Sequence, residues 1–307
     1  MDKKQQKKKK SSVLSYLFLF VGFLVGLGIL LYPTISDQWN RYRNQRLIST
    51  YSNVVEEMKE EDFSRVWAEA REYNAQHKVN VIRTAYNEET EEYILSHPYD
   101  QILNPMGNEI MGYIEIPKID VKLAIYHGTG PEALENGCGH VEGTSLPIGG
   151  AGCHSVLSAH RGLPSAALFT DLDQMKEGDL FLIQVLDETL AYRVDQILTV
   201  KPEETEALAI EEEEDLVTLV TCTPYGVNSH RLLVRGRRTE YVPEEAAGEA
   251  NRKIIRNPLE KSNRTQTLLV GGLVIFIIFL LILNLILDAR ARRRKKKQRR
   301  EEMHEEE

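Results

Sequence analysis

The sequence predicts a mainly β protein: a small closed or nearly closed antiparallel barrel, preceded by helices and flanked by two transmembrane helices. Three observations carry this. From residue 112 onward, short apolar runs are separated by Gly, Pro and acidic punctuation. Over residues 36–95, apolar residues recur instead at three- and four-residue steps. Near either end lies a run of twenty residues, 13–32 and 268–287, that is free of charge, the second broken only by Asn284.

At about 1.5 Å rise per residue, roughly 20 apolar residues cross a hydrocarbon core of about 30 Å. Each run is therefore read as a membrane span. Six lysines between Lys3 and Lys10 precede the first, and nine basic residues between Arg290 and Arg300 follow the second. The positive-inside preference then places the charged tails, 1–12 and 288–307, in the cytoplasm and residues 33–267 outside. A cleaved signal peptide is the rival reading of the first run. Its apolar core is too long for one, and residues 32–36 offer no small-x-small cleavage site. The chain carries −8 overall, but residues 33–267 hold 23 Lys and Arg against 39 Asp and Glu, a net −16. That balance argues against nucleic acid as a partner. It reads first as a solvated acidic shell, and it also suits a surface that meets basic protein substrates.

The helical pattern is set by Trp39, Tyr42, Arg46, Ile48, Tyr51, Val54, Val55 and Met58, then by Phe63, Val66, Trp67, Ala70 and Tyr73. It predicts a helical stalk or subdomain over 33–95, between membrane and catalytic core. Strands are expected at 113–116, 123–126, 155–157, 180–185, 190–194, 216–221 and 232–234. Seven or eight strands with one buried face imply the barrel, placed at 112–240. Residues 241–267 are polar, contain Pro243, Gly248 and Pro258, and read as a linker to the second span.

Chemistry concentrates at TLVTCTPY (218–225) and HRLLVRG (230–236). Cys222 closes one apolar run and Arg231 opens the next, so two adjacent antiparallel strands would bring a thiol and a guanidinium to one rim of a sheet. A thiol becomes a nucleophile only when its thiolate is stabilised and the oxyanion it creates is received. A structural cysteine completing an apolar strand is the other reading the residues allow. Pro224 and Gly226 end the strand just past Cys222 and leave its side chain near an opening. If Leu232 and Val234 face the interior, Arg231, Leu233 and Arg235 face outward. Upstream, His160 ends a strand-like run in LSAHRG and is followed by a turn. It supplies a base and acid for such a thiol.

TLVTC, SAHRG and NSHRLLVRGRR together resemble the sortase family, the cysteine transpeptidases of Gram-positive cell surfaces, over about 112–238. Their wording is most similar to the class C, pilin-polymerising branch. The resemblance implies an eight-stranded barrel, with Cys222 as nucleophile, His160 as general acid and base, and Arg231 stabilising the substrate carbonyl and oxyanion. It implies cleavage of an LPxTG-like sorting signal between Thr and Gly, a thioester on Cys222, and transfer to a lysine amine of the next pilin precursor. A lid, often carrying Asp-Pro-aromatic, covers the cleft in class C relatives. Within 96–111 the nearest match is His97-Pro98-Tyr99, with Asp100 after the aromatic instead of before it; Asn104-Pro105-Met106 is a weaker candidate. If a lid of that type anchors on the cysteine, Tyr99 is expected near Cys222.

Two other functions remain open at this point: a sortase that attaches proteins to cell-wall peptide, and a non-catalytic pilus-assembly scaffold on the same fold. No cofactor and no metal are expected. Cys138-Gly139-His140 and Cys153-His154 lack zinc-site spacing. The acidic run 211–215 lacks the alternating oxygens of a calcium loop. Cys138 and Cys153 are read as small buried hydrophobes, with a disulfide between them as the alternative.

Overall fold

The computed structural model describes residues 2–76 and 99–251, together with five positions between 271 and 278. It divides into two compact units, one of residues 1–33 and 255–307, the other Thr34–Ile254. Helix α1 (Asp2–Glu57) begins in the first. Among the described residues it is the one helix long and apolar enough to cross a membrane. The second expected span lies outside the described residues apart from those five helical positions. One of the two expected spans therefore lies within the described residues.

The second unit is built on a closed barrel. Its strands are β1 (Ile110–Ile116), β2 (Val121–Tyr126), β3 (Cys138–His140), β4 (Cys153–Ser158), β5 (Leu180–Val185), β6 (Glu188–Val200), β7 (Asp215–Thr223) and β8 (His230–Thr239). They close in the order β1-β2-β3-β4-β7-β8-β6-β5. The eight-stranded barrel is as expected, but it is not purely antiparallel: β2 with β3 and β4 with β7 run parallel. Strand β3 was not among the expected strands. It is three residues long around Gly139, too short for alternation to register. Strand β6 runs on to Val200, and a register shift between Val194 and Gln196 brackets Asp195, which pairs with Arg235.

Inside, Phe181 stacks on Tyr192 with ring centroids 5.6 Å apart. Strand β8 crosses this pair at Gly236, where a Cβ would lie 2.5 Å from the Phe181 ring. Only glycine lets the backbone pass so close.

The helical residues after the N-terminal apolar run do not form a separate stalk. Tyr51 and Val55 of α1 and Val66, Trp67, Ala70 and Tyr73 of α2 (Glu60–Gln76) belong to the same hydrophobic cluster as the barrel. Polar side chains complete backbone ladders at the seam. The Tyr51 hydroxyl donates to Met111 O at 2.9 Å and accepts from Leu186 N at 2.8 Å. Asn44 Oδ1 accepts from Ala124 N, and its amide donates to Asn136 O, at the end of the short helix α3 (Pro131–Asn136). Asn74 bonds both the N–H and the C=O of Leu146. Each of these groups would otherwise be a buried backbone donor or acceptor without a partner.

The expected linker is likewise corrected in part. Helix α4 (Pro243–Asn251) forms there, packing Ala246 against Leu180, Leu182 and Ala191, with Glu245 bonded to Arg193 at 2.6 Å. Pro243 was read as a breaker. At the first helical position its missing N–H costs nothing, and Glu244 and Glu245 complement the helix dipole. Residues 252–267 of the expected linker lie outside the described residues.

Candidate active site

Three strand ends meet at one rim. Along β7 and β8, Leu219 pairs with Val234 and Thr221 with Leu232, all of them buried. Side chains alternate across a strand, so Val220, Cys222, Arg231 and Leu233 point out of the barrel. Cys222 and Arg231 are direct register partners. Their side chains therefore stand side by side on the outer face, as cross-strand neighbours do.

The third strand is β4. It runs parallel to β7 with Leu157 opposite Leu219 and Ser158 opposite Val220. The ladder continues past the strand end: Ala159 N donates to Val220 O at 3.2 Å, and Thr221 Oγ1 donates to Ala159 O at 2.8 Å. Leu157 and Ala159 are buried in the core. The next outward residue is His160, level with Cys222. The row along the rim is thus His160, just past the end of β4, then Cys222 and Arg231, which are paired across adjacent strands. All three are half-buried.

The electrostatics single out Arg231. On β8, Arg235 is paired with Asp195 and Glu211, Arg237 with Asp195 and Glu214, and Arg238 lies 3.9 Å from Asp215. Arg231 bonds only backbone carbonyls, of Asn228 at 3.2 Å and His230 at 3.1 Å. Among the described residues it has no carboxylate partner, so its charge is open to an oxyanion. His160 likewise has no hydrogen bond to its ring from any described residue. Among the described residues no Asn, Asp or Glu orients it as in a protease triad.

A feature that sequence reasoning missed holds the row together. Arg161 follows the histidine and is buried, its side chain 5% exposed. It donates to Thr223 Oγ1 at 3.1 Å and to Asp173 at 2.5 Å. It thereby ties the turn after His160 to the residue after Cys222. Gly162, at φ +78°, lets that turn press on Tyr225, whose ring would lie 3.1 Å from a Cβ at this position. The only hint in the sequence was an arginine set between a histidine and a glycine. Nothing local says that it turns inward.

The connection between β6 and β7 lies along the same outward surface. His154 Nδ1 donates to Ala209 O at 2.7 Å, its Nε2 accepts from Thr218 Oγ1, and Arg235 holds Glu211. The acidic run 211–215 thus serves ion pairs, with Arg235, Arg237 and Arg238.

The lid expectation fares differently. His97 and Pro98 lie outside the described residues. Tyr99 accepts from Gly128 N at 3.0 Å and meets His140 Nδ1 at 2.6 Å, with its ring 5.0 Å from that of His127. Burial pushes its phenol well above the ordinary value. Since His140 pairs with Leu157, which pairs with Leu219, Tyr99 sits two strands and three register positions from Cys222. The structure does not bring the two together. Asp100 is exposed, and Ile102 and Leu103 of the expected lid segment are core residues. Asn104 closes a turn by accepting from Asn108 N and Glu109 N.

None of the three cysteines is in a disulfide, so the alternative Cys138–Cys153 bridge is not formed. Among the described residues no group of three or more His, Cys, Asp and Glu is placed to hold a metal ion.

A thiol set between an imidazole and an unpaired guanidinium suits acyl transfer through a thioester. The sortase domain family model matches residues 114–239. The solved sortase C1 of Streptococcus agalactiae is 47% identical, with a TM-score of 0.59, over 64% of this chain and 100% of that one. Sortase C of Streptococcus pneumoniae is 42% identical, with a TM-score of 0.55, over 64% and 97%. Sortase D of Bacillus subtilis is 27% identical over 137 residues, 44% of this chain and 66% of that protein. The chain spans about two thirds of the length of that curated relative and less of the other curated relatives it matches. It belongs to the sortase family of cysteine transpeptidases, and the solved structures it resembles are of class C.

Proposed function

We propose that this chain is a membrane-anchored, pilin-polymerising transpeptidase. The observation that carries the reading is the register that sets Cys222 between His160 and Arg231 on the outer face. The Cys222 thiolate attacks the Thr carbonyl carbon of an LPxTG-like signal, and Arg231 receives the charge that develops on oxygen. The Thr–Gly C–N bond breaks as His160 gives its proton to the departing amine, leaving a thioester. A lysine amine of the next pilin then attacks that carbonyl. His160 takes the amine's proton, the C–S bond breaks, and an isopeptide bond joins the two pilins.

The likeness to the pneumococcal sortase C, whose structure bears on pilin substrate specificity, supports pilin as the substrate class. Residues 13–32 and 268–287 would both span the membrane, with the basic tails inside, keeping the catalytic unit outside beside membrane-tethered precursors. Incubating the purified enzyme with a pilin, with and without its acceptor lysine, tests the reading. A lysine-dependent ladder is expected. Product with a cell-wall peptide amine but no ladder would assign wall anchoring instead. Activity untouched by Cys222→Ala would leave a scaffold.

A further inference from the structure

Among the described residues, one face of α1 in the catalytic unit has no partner. Ile35, Trp39 and Tyr42 are 63%, 67% and 55% exposed, at helical spacing. The Trp39 and Tyr42 rings lie 6.0 Å apart. Arg46, one turn further along the same face, is exposed and has no carboxylate partner among the described residues.

The helix cannot rotate to bury this stripe, because its opposite face is bonded to the barrel. Asn40 donates to Glu135 O and Asn44 to Asn136 O. Arg41 pairs with Asp37 and Asp120. Asp37 Oδ1 accepts from Ala167 N at 2.8 Å.

Chain geometry says what lies against the free face. No charged residue stands between Lys10 and Asp37. At about 1.5 Å per residue that run is roughly 39 Å long as a helix, more than the hydrocarbon core of about 30 Å needs. Its last residues therefore enter the headgroup layer. Trp39 and Tyr42 follow within about 9 Å of Ser36 along the helix. Trp and Tyr are the residues that favour this layer, and an arginine just beyond reaches back towards phosphate, as helical side chains tilt to the N-terminus.

We infer that the Ile35–Trp39–Tyr42–Arg46 face is a lipid-docking surface, seated in the outer headgroup layer of the membrane that anchors the chain. The inference rests on the anchoring reading. Asp37 is the first charged residue after the apolar run, and it holds the loop that follows His160. The loop that follows His160 is thereby tied to the helix that carries this face.

The chain has two tryptophans, and the other, Trp67, is buried against Asp187. The difference between the wild type and Trp39→Phe therefore isolates Trp39 emission. The full chain is reconstituted in phosphatidylcholine–phosphatidylglycerol nanodiscs, with or without lipid brominated near the headgroup. Loss of most Trp39 emission to brominated lipid, with weak quenching by aqueous acrylamide, is expected. In chain that has entered the discs, quenching by acrylamide and not by bromine overturns the inference. Quenching by neither, with two chains per disc reverting to one in Trp39→Glu, would assign the face to a second copy and also overturn it. Chain that never enters the discs sinks the anchoring reading itself.

Discussion

Replacing Arg161 with alanine would separate the alignment of the site from its chemistry. Arg161 does not belong to the reacting row; it bonds Thr223, next to Cys222, and Asp173. A hydrogen bond from a charged donor contributes about 1.5–3 kcal/mol when the pair is buried. The Asp173 pair counts for less, because that carboxylate is 37% exposed and screened by water. The loss therefore falls mainly on the link between the His160 turn and the end of β7. A misplacement of about 1 Å between reacting groups costs on the order of 100-fold. Arg161→Ala is accordingly expected to lower kcat/KM about 10- to 100-fold, or about 1.4–2.7 kcal/mol of transition-state stabilisation. Most of the loss should appear in kcat. Arg161→Lys keeps the charge but not the two-pronged fork, and should fall between the two. The assay is cleavage of a fluorogenic sorting peptide with an amine acceptor, paired with the pH profile of Cys222 alkylation. An alanine variant that melts earlier, yet keeps kcat/KM within about twofold and an unchanged alkylation profile, would refute the positioning argument.

Arg231→Lys should cost kcat far more than KM, by roughly 10- to 1000-fold, because a receiver of oxyanion charge acts in the transition state; an effect confined to KM would assign Arg231 to ground-state binding. Tyr51→Phe strands Leu186 N–H and Met111 C=O in the interior and should lower stability by about 2–4 kcal/mol in urea unfolding. A loss below about 0.5 kcal/mol would mean that α1 is not part of the cooperative fold. Burial pulls the His154 imidazole below its ordinary 6.5, the Ala209 carbonyl opposes the shift, and nearby Arg235 adds to it. The unfolded chain binds this proton more tightly than the folded one, so the stability His154 contributes is complete above about pH 6.5 and is lost as pH falls below that. Melting temperatures from pH 8 to 5 should show the loss in the wild type and less of it in His154→Gln; equal slopes would remove His154 as the cause.

The parts of the site legible in the sequence were those fixed locally. Cys222 and Arg231 stand nine residues apart on strands joined by one tight connection, and alternation alone put Arg231, Leu233 and Arg235 on the outer face, as observed. His160 was found by its motif, but no local rule puts it beside Cys222. That depends on a parallel pairing between β4 and β7 with two strands between them in the chain. The same limit hid β3, and it let the helices pass for a stalk. Ile48, Tyr51 and Val55 were read in one pattern with Trp39 and Tyr42, though the former face the barrel and the latter do not. Asn44, unremarked, and Asn74, read only as part of the helical pattern, are the fasteners. Tyr99 failed for another reason: its aromatic ring was matched to a motif, while its hydroxyl was suited to a buried histidine.

The parallel seam between β4 and β7 bears on when the protein becomes reactive. Residues 160 and 222 meet only once β4 and β7, separated in the chain by β5 and β6, have paired, and such long-range contacts are among the slowest to form. Until then the chain holds three ordinary thiols and an isolated imidazole. Nucleophilic power is thus withheld from every nascent or partly opened form. A fragment ending before β7, or one beginning after β4, would carry recognisable pieces of the motif and none of its chemistry.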